Sequence, residues 1–389
     1  MKVALVHDWI VSIRGAEKVL ESLSRIYPGA DLFTLRYDGD GVRLSRELSG
    51  RPVHTSFVDR LAKLTGGSSV ALSGFRLLLP LFPLAVESFR LDDYDLVISS
   101  SHAVAKGAIA PPGALHVSYV HTPMRYIWEA GAEYAPRVPG GALGRAAFGL
   151  LAHYLRLWDT VATARVDALV ANSRYTRDRI RRCYGRDSTV IEPPVETDRF
   201  QRIPDPAPGG GAPPLFLCVS ALVPYKRVEL AVRAFLGRAE RLVVVGEGAD
   251  HQRLSAIAGA APNIELRGRL DDAEVDRLYA QCQAVIHPAI DDFGIVPVEA
   301  LAAGRPVVAF AGGGATDSVR DGETGVLFAT PTPAALGDAV TRLLGMRFDP
   351  ARLRAQARRF DRTSFERRFA ALVESCLERA RSERARAPA

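Results

Sequence analysis

Residues 286–308 read IHPAIDDFGIVPVEALAAGRPVV. The apolar run that ends at His287 has the length and content of a buried strand, a turn containing Gly294 follows, and a helix begins after it. Carboxylates, Asp291 and Glu299, stand at either end of the turn region. The backbone N–H groups of Phe293, Gly294 and Ile295 at such a loop and helix start can hold a phosphate or sugar oxygen, while carboxylates accept hydrogen bonds from sugar and ribose hydroxyls.

The same strand-then-helix rhythm runs outward on both sides. Residues 215–219, 241–245, 263–266, 284–287 and 306–310 read as one strand series, and residues 3–7, 96–100, 116–120 and 168–171 as another. Amphipathic stretches separate them, so both halves are expected to be doubly wound α/β layers. Between the halves, Pro204, Pro206, Pro208 and the run Gly209, Gly210, Gly211 cannot sustain helix or sheet. With 389 residues, 48% of them apolar, the chain can bury two cores. The expected division is an N-terminal domain over 1–195, a linker over 196–213, a C-terminal domain over 214–361 and a final helix over 362–389. That helix carries Phe365, Phe369, Leu372 and Cys376 on one face, is expected to pack back on the N-terminal domain, and frays after Ser382.

Composition excludes several classes. The formal net charge is +6, with arginines concentrated in 174–186 and 352–386. This suits an anionic partner such as a nucleotide diphosphate, an anionic leaflet or nucleic acid, and a solvated arginine-rich face accounts for either cluster equally well. No basic-aromatic interleaving favours nucleic acid. No Gly-x-Gly-x-x-Gly follows the first strand, which argues against a nicotinamide dehydrogenase. Cys183, Cys218, Cys282 and Cys376 lack the spacing of a disulfide framework or a zinc site and read as reduced thiols. A strand immediately after Met1 leaves no room for an export signal, so a cytoplasmic protein is expected. The most apolar run, 77–86, is broken by Pro80 and Pro83 and is too short to cross a bilayer.

The 286–308 stretch, with Asp291 and Glu299 eight apart around Phe-Gly and followed by Ala-Leu-Ala-Ala-Gly-x-Pro-Val-Val, resembles the signature of glycosyltransferase family 4. Residues 219–227 (VSALVPYKR) resemble that family's turn with a phosphate-binding lysine, and residues 245–248 (VGEG) its next sheet-end loop. Residues 14–18 (RGAEK), 99–103 (SSSHA), 118–126 (SYVHTPMRY) and 170–174 (VANSR) are similar to its mannosyltransferase-like branch.

The resemblance implies a GT-B fold, two Rossmann-like domains facing a cleft, and retaining, metal-independent transfer of a hexose. The donor it implies is GDP-mannose, and the acceptor a saccharide or lipid-linked saccharide of cell-surface polysaccharide synthesis. No cofactor is implied. It places Lys226, supported by Arg227, on the diphosphate, Gly15 at the first glycine-rich turn, Glu299 on the ribose, Asp291 on the hexose and His121 on the donor sugar. Gly314, with Gly313 and Ala315, precedes a helix that also faces the donor. Asp291 stands where glutamate is usual, Ala221 where an arginine often accompanies the lysine, and Ala16 where a second glycine is common. Asp291 therefore reaches one methylene less, with Asp292 beside it able to share the task. His102, His116, His153 and His287 read as structural histidines, His102 being also a candidate ligand contact. Arg76, Leu77, Leu78 and Phe82 are candidates for peripheral contact with the inner leaflet, the alternative being that these apolar residues are buried. The alternatives are a UDP-sugar donor, a nucleotide-sugar 2-epimerase, whose carboxylate and histidine pattern is not seen, and a non-enzymatic basic binding protein.

Overall fold

The computed structural model describes residues 1–12, 15–39, 45, 48–64, 78–129, 141–205 and 213–386. Arg14, Arg76, Leu77, Pro206, Pro208 and Gly209 to Gly211, all named above, lie outside them. The chain divides into two compact units, one of residues 1–193 with 365–389, the other of residues 194–364.

Among the described residues the first unit holds seven strands: β1 (Val3–Ile10), β2 (Asp31–Tyr37), β3 (Val53–Thr55), β4 (Leu96–Ser101), β5 (Leu115–Val120), β6 (Ala168–Ala171) and β7 (Thr189–Val190). They lie in the order β3-β2-β1-β4-β5-β6-β7, every neighbouring pair parallel. β4 and β5 are buried along their whole length. That burial on both faces is why they read as continuous runs rather than alternating ones. On one face Val3, Leu5, Ile98 and Tyr119 form a core that the helix Arg362–Arg386 completes with Phe365, Phe369, Val373 and Cys376. That helix is described through Arg386, four residues beyond the expected fraying point. The other face carries the helix Gly141–Ala164. Its Asp159 and Lys106 form a fully buried ion pair, and Asp159 also accepts from the Trp128 indole and the Tyr184 hydroxyl, each at 2.8 Å.

The second unit holds β8 (Leu215–Val219), β9 (Arg241–Val245), β10 (Ile264–Arg267), β11 (Ala284–His287), β12 (Val307–Phe310) and β13 (Gly325–Phe328), in the order β10-β9-β8-β11-β12-β13 and again all parallel. Within the stretch expected to be linker, Thr197–Gln201 is a helix whose Phe200 is buried in this unit's core. Its aromatic anchor gives the four polar residues around it a reason to be ordered that their composition does not advertise.

One expected membrane contact is corrected, and another is only part-exposed. Phe82 is 2% exposed in the first unit's core and Leu78 packs against that core. Leu84 in the same run is exposed, and a larger set of exposed apolar side chains, Leu143, Leu150, Tyr154, Leu157 and Val161, falls on one face of the helix Gly141–Ala164. Among the described residues no helix is long and apolar enough to cross a membrane.

Candidate active site

In the second sheet β8 lies between β9 and β11. The chain leaves β8 toward one edge and later builds the other, so the loops after β8 and β11 diverge at the strands' C-terminal ends. Open α/β sheets bind ligands at such switch points. The loop after β8 carries Lys226 and Arg227, and the loop after β11 carries Asp291. Lys226 Nζ donates to both Asp291 carboxylate oxygens, at 2.7 and 2.8 Å. His287 Nε2 stands 3.5 Å from the same carboxylate, and burial holds its imidazole down to about 4, so it is neutral at pH 7. The pair sits beside solvent, the two side chains being 21% and 15% exposed.

Arg227 has φ 53°, the left-handed region that side chains rarely adopt. Its guanidinium lies 5.4 Å from the centre of the Phe310 ring, and Nη1 is buried with no hydrogen-bond partner among the described residues. A left-handed non-glycine backbone and an unsatisfied cationic donor thus coincide in the loop that holds Lys226.

The loop after β11 is pinned from below. The Phe293 side chain is 3% exposed and packs in the core 5.5 Å from the Phe360 ring, so only its backbone is available to a donor. Gly294, at φ 87°, opens the helix Ile295–Ala302, and Ile295 packs half-buried against the core. Gly314 donates its N–H to the Asp291 carbonyl at 2.8 Å. A Cβ there would come within 2.3 Å of Asp292 O and Phe293 Cα. Its amide is thus occupied in clasping the Asp291 loop. Glu299 lies one turn into the helix and joins neither member of the pair: the Tyr279 hydroxyl donates to its Oε2 at 3.4 Å. Burial pushes the Glu299 carboxyl up to about 7 against the pull of Arg199 and Tyr279.

Gly15 and His121 belong to the first unit, whose own switch point lies between β1 and β4. Gly15 opens the helix Gly15–Ile26. His121 follows β5, its N–H donating to Ser101 O at 2.8 Å and its Nε2 lying 2.8 Å from Ser100 Oγ. Burial, reinforced by His102 and His7, holds the His121 imidazole well below its ordinary value. Asp8 accepts from the consecutive amides of His102, Ala103, Val104 and Ala105 at 2.6, 2.9, 2.6 and 2.7 Å, and His102 Nδ1 stands 3.2 Å from it. Burial pushes Asp8 up, but His102, His7 and these amides outweigh it and the carboxyl lies below its usual range. His116 is structural: Nε2 meets Ser99 Oγ at 2.9 Å between β4 and β5, and burial takes it down to about 3. His7, Asp8 and Glu17 were given no role from the sequence, although the polar pair His7-Asp8 inside an otherwise apolar strand was a visible signal.

The family description "Glycosyltransferase Family 4" matches residues 14–199, and "Glycosyl transferases group 1" matches residues 201–360. The chain belongs to the family 4 glycosyltransferases. A relative from Mycolicibacterium smegmatis, named GDP-mannose-dependent alpha-(1-6)-phosphatidylinositol monomannoside mannosyltransferase, is 32% identical over 213 residues, 49% of this chain and 55% of that protein. The chain thus spans about half the length of the curated relatives it matches. Among solved structures, sucrose-phosphate synthase from Thermosynechococcus elongatus superposes with a TM-score of 0.68 at 16% identity, covering 97% of this chain and 100% of that one. The lipopolysaccharide outer core galactosyltransferase WaaB superposes at 0.65 and 17%, covering 96% and 99%. These likenesses show the GT-B fold, two parallel α/β sheets. In this family 4 glycosyltransferase Lys226, Arg227 and Asp291 come together in the second unit and His121 joins Ser100 in the first, while Glu299 pairs with Tyr279 instead and Gly15 opens a helix of the first unit.

Proposed function

We propose that the chain is a retaining, metal-independent hexosyltransferase that moves mannose from GDP-mannose to a saccharide or lipid-linked saccharide in cell-surface polysaccharide synthesis. The observation that carries this reading is the Lys226–Asp291 pair at the switch point of the second sheet. As the bond from the sugar to the diphosphate lengthens, negative charge grows on the leaving group and positive charge on the anomeric carbon. A fixed ammonium favours the first, and a carboxylate holding the hexose hydroxyls favours the second. Lys226 with Arg227 takes the electrostatic part that a divalent ion plays elsewhere. Glu299 holds the ribose, and His121 the donor sugar. The acceptor attacks from the leaving-group side and passes its proton to the diphosphate, which retains configuration.

Mannose and guanine are supported by the mycobacterial relative's name. A lipid-linked acceptor places the reaction at the inner face of the membrane in the cytoplasm, and the apolar outer face of the helix Gly141–Ala164 supports peripheral contact there. The test is thermal shift and turnover with GDP-mannose, GDP-fucose, UDP-glucose and UDP-N-acetylglucosamine. GDP-mannose is expected to raise Tm and to be consumed, because a ligand bound only by the folded protein stabilises it. Response to the UDP sugars alone replaces the donor, and response to none refutes the reading.

A further inference from the structure

Three neighbouring strands of the first sheet deliver one hydrogen-bonded chain. His7 comes from β1, Ser100 from β4 and His121 from the end of β5. Ser100 Oγ lies between the two rings, 3.1 Å from His7 Nδ1 and 2.8 Å from His121 Nε2. A hydroxyl has a single proton, so it can donate to only one of these imidazoles and must accept from the other.

Which one is set at the far side of His7. Its Nε2 is buried, makes no hydrogen bond among the described residues, and faces Glu17 Oε1 at 3.9 Å. A ring lone pair turned toward a buried carboxylate is repelled, whereas an N–H is attracted. His7 therefore carries its proton on Nε2 and offers a lone pair at Nδ1. Ser100 donates to that lone pair, and its oxygen accepts the His121 Nε2–H. His121 Nδ1 is left as a bare acceptor, with no hydrogen bond of its own among the described residues. The other titratable groups packed around the chain keep separate partners: Asp8 holds four amides with His102 beside it, and the Tyr119 hydroxyl donates to Ile191 O at 2.9 Å.

We propose that Ser100 is a positioning residue whose hydroxyl, oriented by His7 and Glu17, fixes His121 in the Nε2–H tautomer so that Nδ1 accepts a hydrogen bond from a sugar hydroxyl. The sugar in this statement rests on the transferase reading, while the tautomer rests on the side chains alone. The tautomer a histidine adopts follows from what its other nitrogen bonds.

Long-range proton–nitrogen NMR of the 15N-labelled full chain tests it, with His121 assigned by the signals lost in His121→Gln. The expected wild-type spectrum shows a pyrrole-type Nε2 and a pyridine-type Nδ1 at His121. Ser100→Ala should move both toward tautomer-averaged positions, Ser100→Thr should restore them, and Glu17→Gln should also average them. A pyrrole-type Nδ1 in the wild type overturns the proposal, as does a single unchanged tautomer in folded Ser100→Ala. Should Ser100→Ala fail to fold, the wild-type and Glu17→Gln spectra decide alone, an unchanged tautomer in the latter overturning the role of Glu17. In parallel, Ser100→Ala should lower kcat about 10-fold while donor KM stays within about 2-fold. The expected spectrum together with no turnover of any nucleotide sugar upholds the hydrogen-bonded chain and refutes the transferase reading.

Discussion

Asp291 is paired with Lys226 before any donor arrives, so binding a diphosphate has to redistribute that pair. Truncating the carboxylate frees the ammonium for the diphosphate but removes the group that holds the sugar as it flattens. Asp291→Ala should therefore lower kcat about 10- to 1,000-fold, roughly 1.4–4 kcal/mol of transition-state stabilisation, without raising donor KM. Asp291→Glu should stay active, and steady-state kinetics with saturating acceptor on folded variants separates these outcomes. Near-normal kcat in Asp291→Ala would hand the role to Asp292. Glu299 behaves differently because burial has raised its carboxyl to about 7. The folded protein binds that proton more tightly than the unfolded chain, so this contribution to stability is full below the ordinary glutamate range and is lost as pH rises through 7. Glu299→Gln should then be more stable than wild type at pH 8 by about 1–2 kcal/mol, after discounting for solvent, with the gap closing toward pH 4. The same change should weaken nucleotide binding about 10-fold, since a neutral amide accepts ribose hydrogen bonds less strongly. Denaturant melts and donor titrations at the two pH values check both signs. The motif of the second unit was legible because Asp291, Gly294 and Glu299 lie within one turn and helix. The chain of His7, Ser100 and His121 was not, because its links span 93 and 21 positions and exist only once β1, β4 and β5 pair in that order.

The Asp291 loop keeps its shape because Gly314 has no side chain, and a methyl group there would displace backbone rather than a flexible tip. Gly314→Ala should cost about 1–3 kcal/mol by overpacking and lower kcat through the misplaced Asp291, read by thermal melting and kinetics together. In the final helix, Phe369 is fully buried and packs 5.8 Å from Phe365 and 6.4 Å from Tyr119, ring centre to ring centre. Phe369→Ala should destabilise the first unit by about 3–5 kcal/mol, seen as a lower denaturant midpoint. Nine strands and the apolar face of this helix were readable, as apolar runs set between amphipathic stretches and a 3.6-residue stripe announce themselves. β2 was not, because buried Thr34 and Arg36 interrupt its apolar run. β3 and β7 were missed through brevity, and β13, as long as β6, because it begins on a glycine.

At the scale of the molecule, each unit presents the C-terminal ends of parallel strands at a switch point, with a cation–carboxylate pair in one and a histidine relay in the other. The apolar face of the helix Gly141–Ala164 belongs to the same scale. Replacing Leu150 and Leu157 by glutamate should reduce co-sedimentation with anionic vesicles and leave the fold intact, both side chains being exposed. Unchanged sedimentation would remove that face from membrane contact. The central claim, retaining transfer from GDP-mannose by fixed cations, is tested most directly by following the reaction in EDTA and reading the anomeric proton of the product by NMR. The account predicts sustained release of GDP and an α-linked mannoside, the configuration of the donor. A β-linked product, or activity abolished by EDTA and restored by manganese, would contradict it.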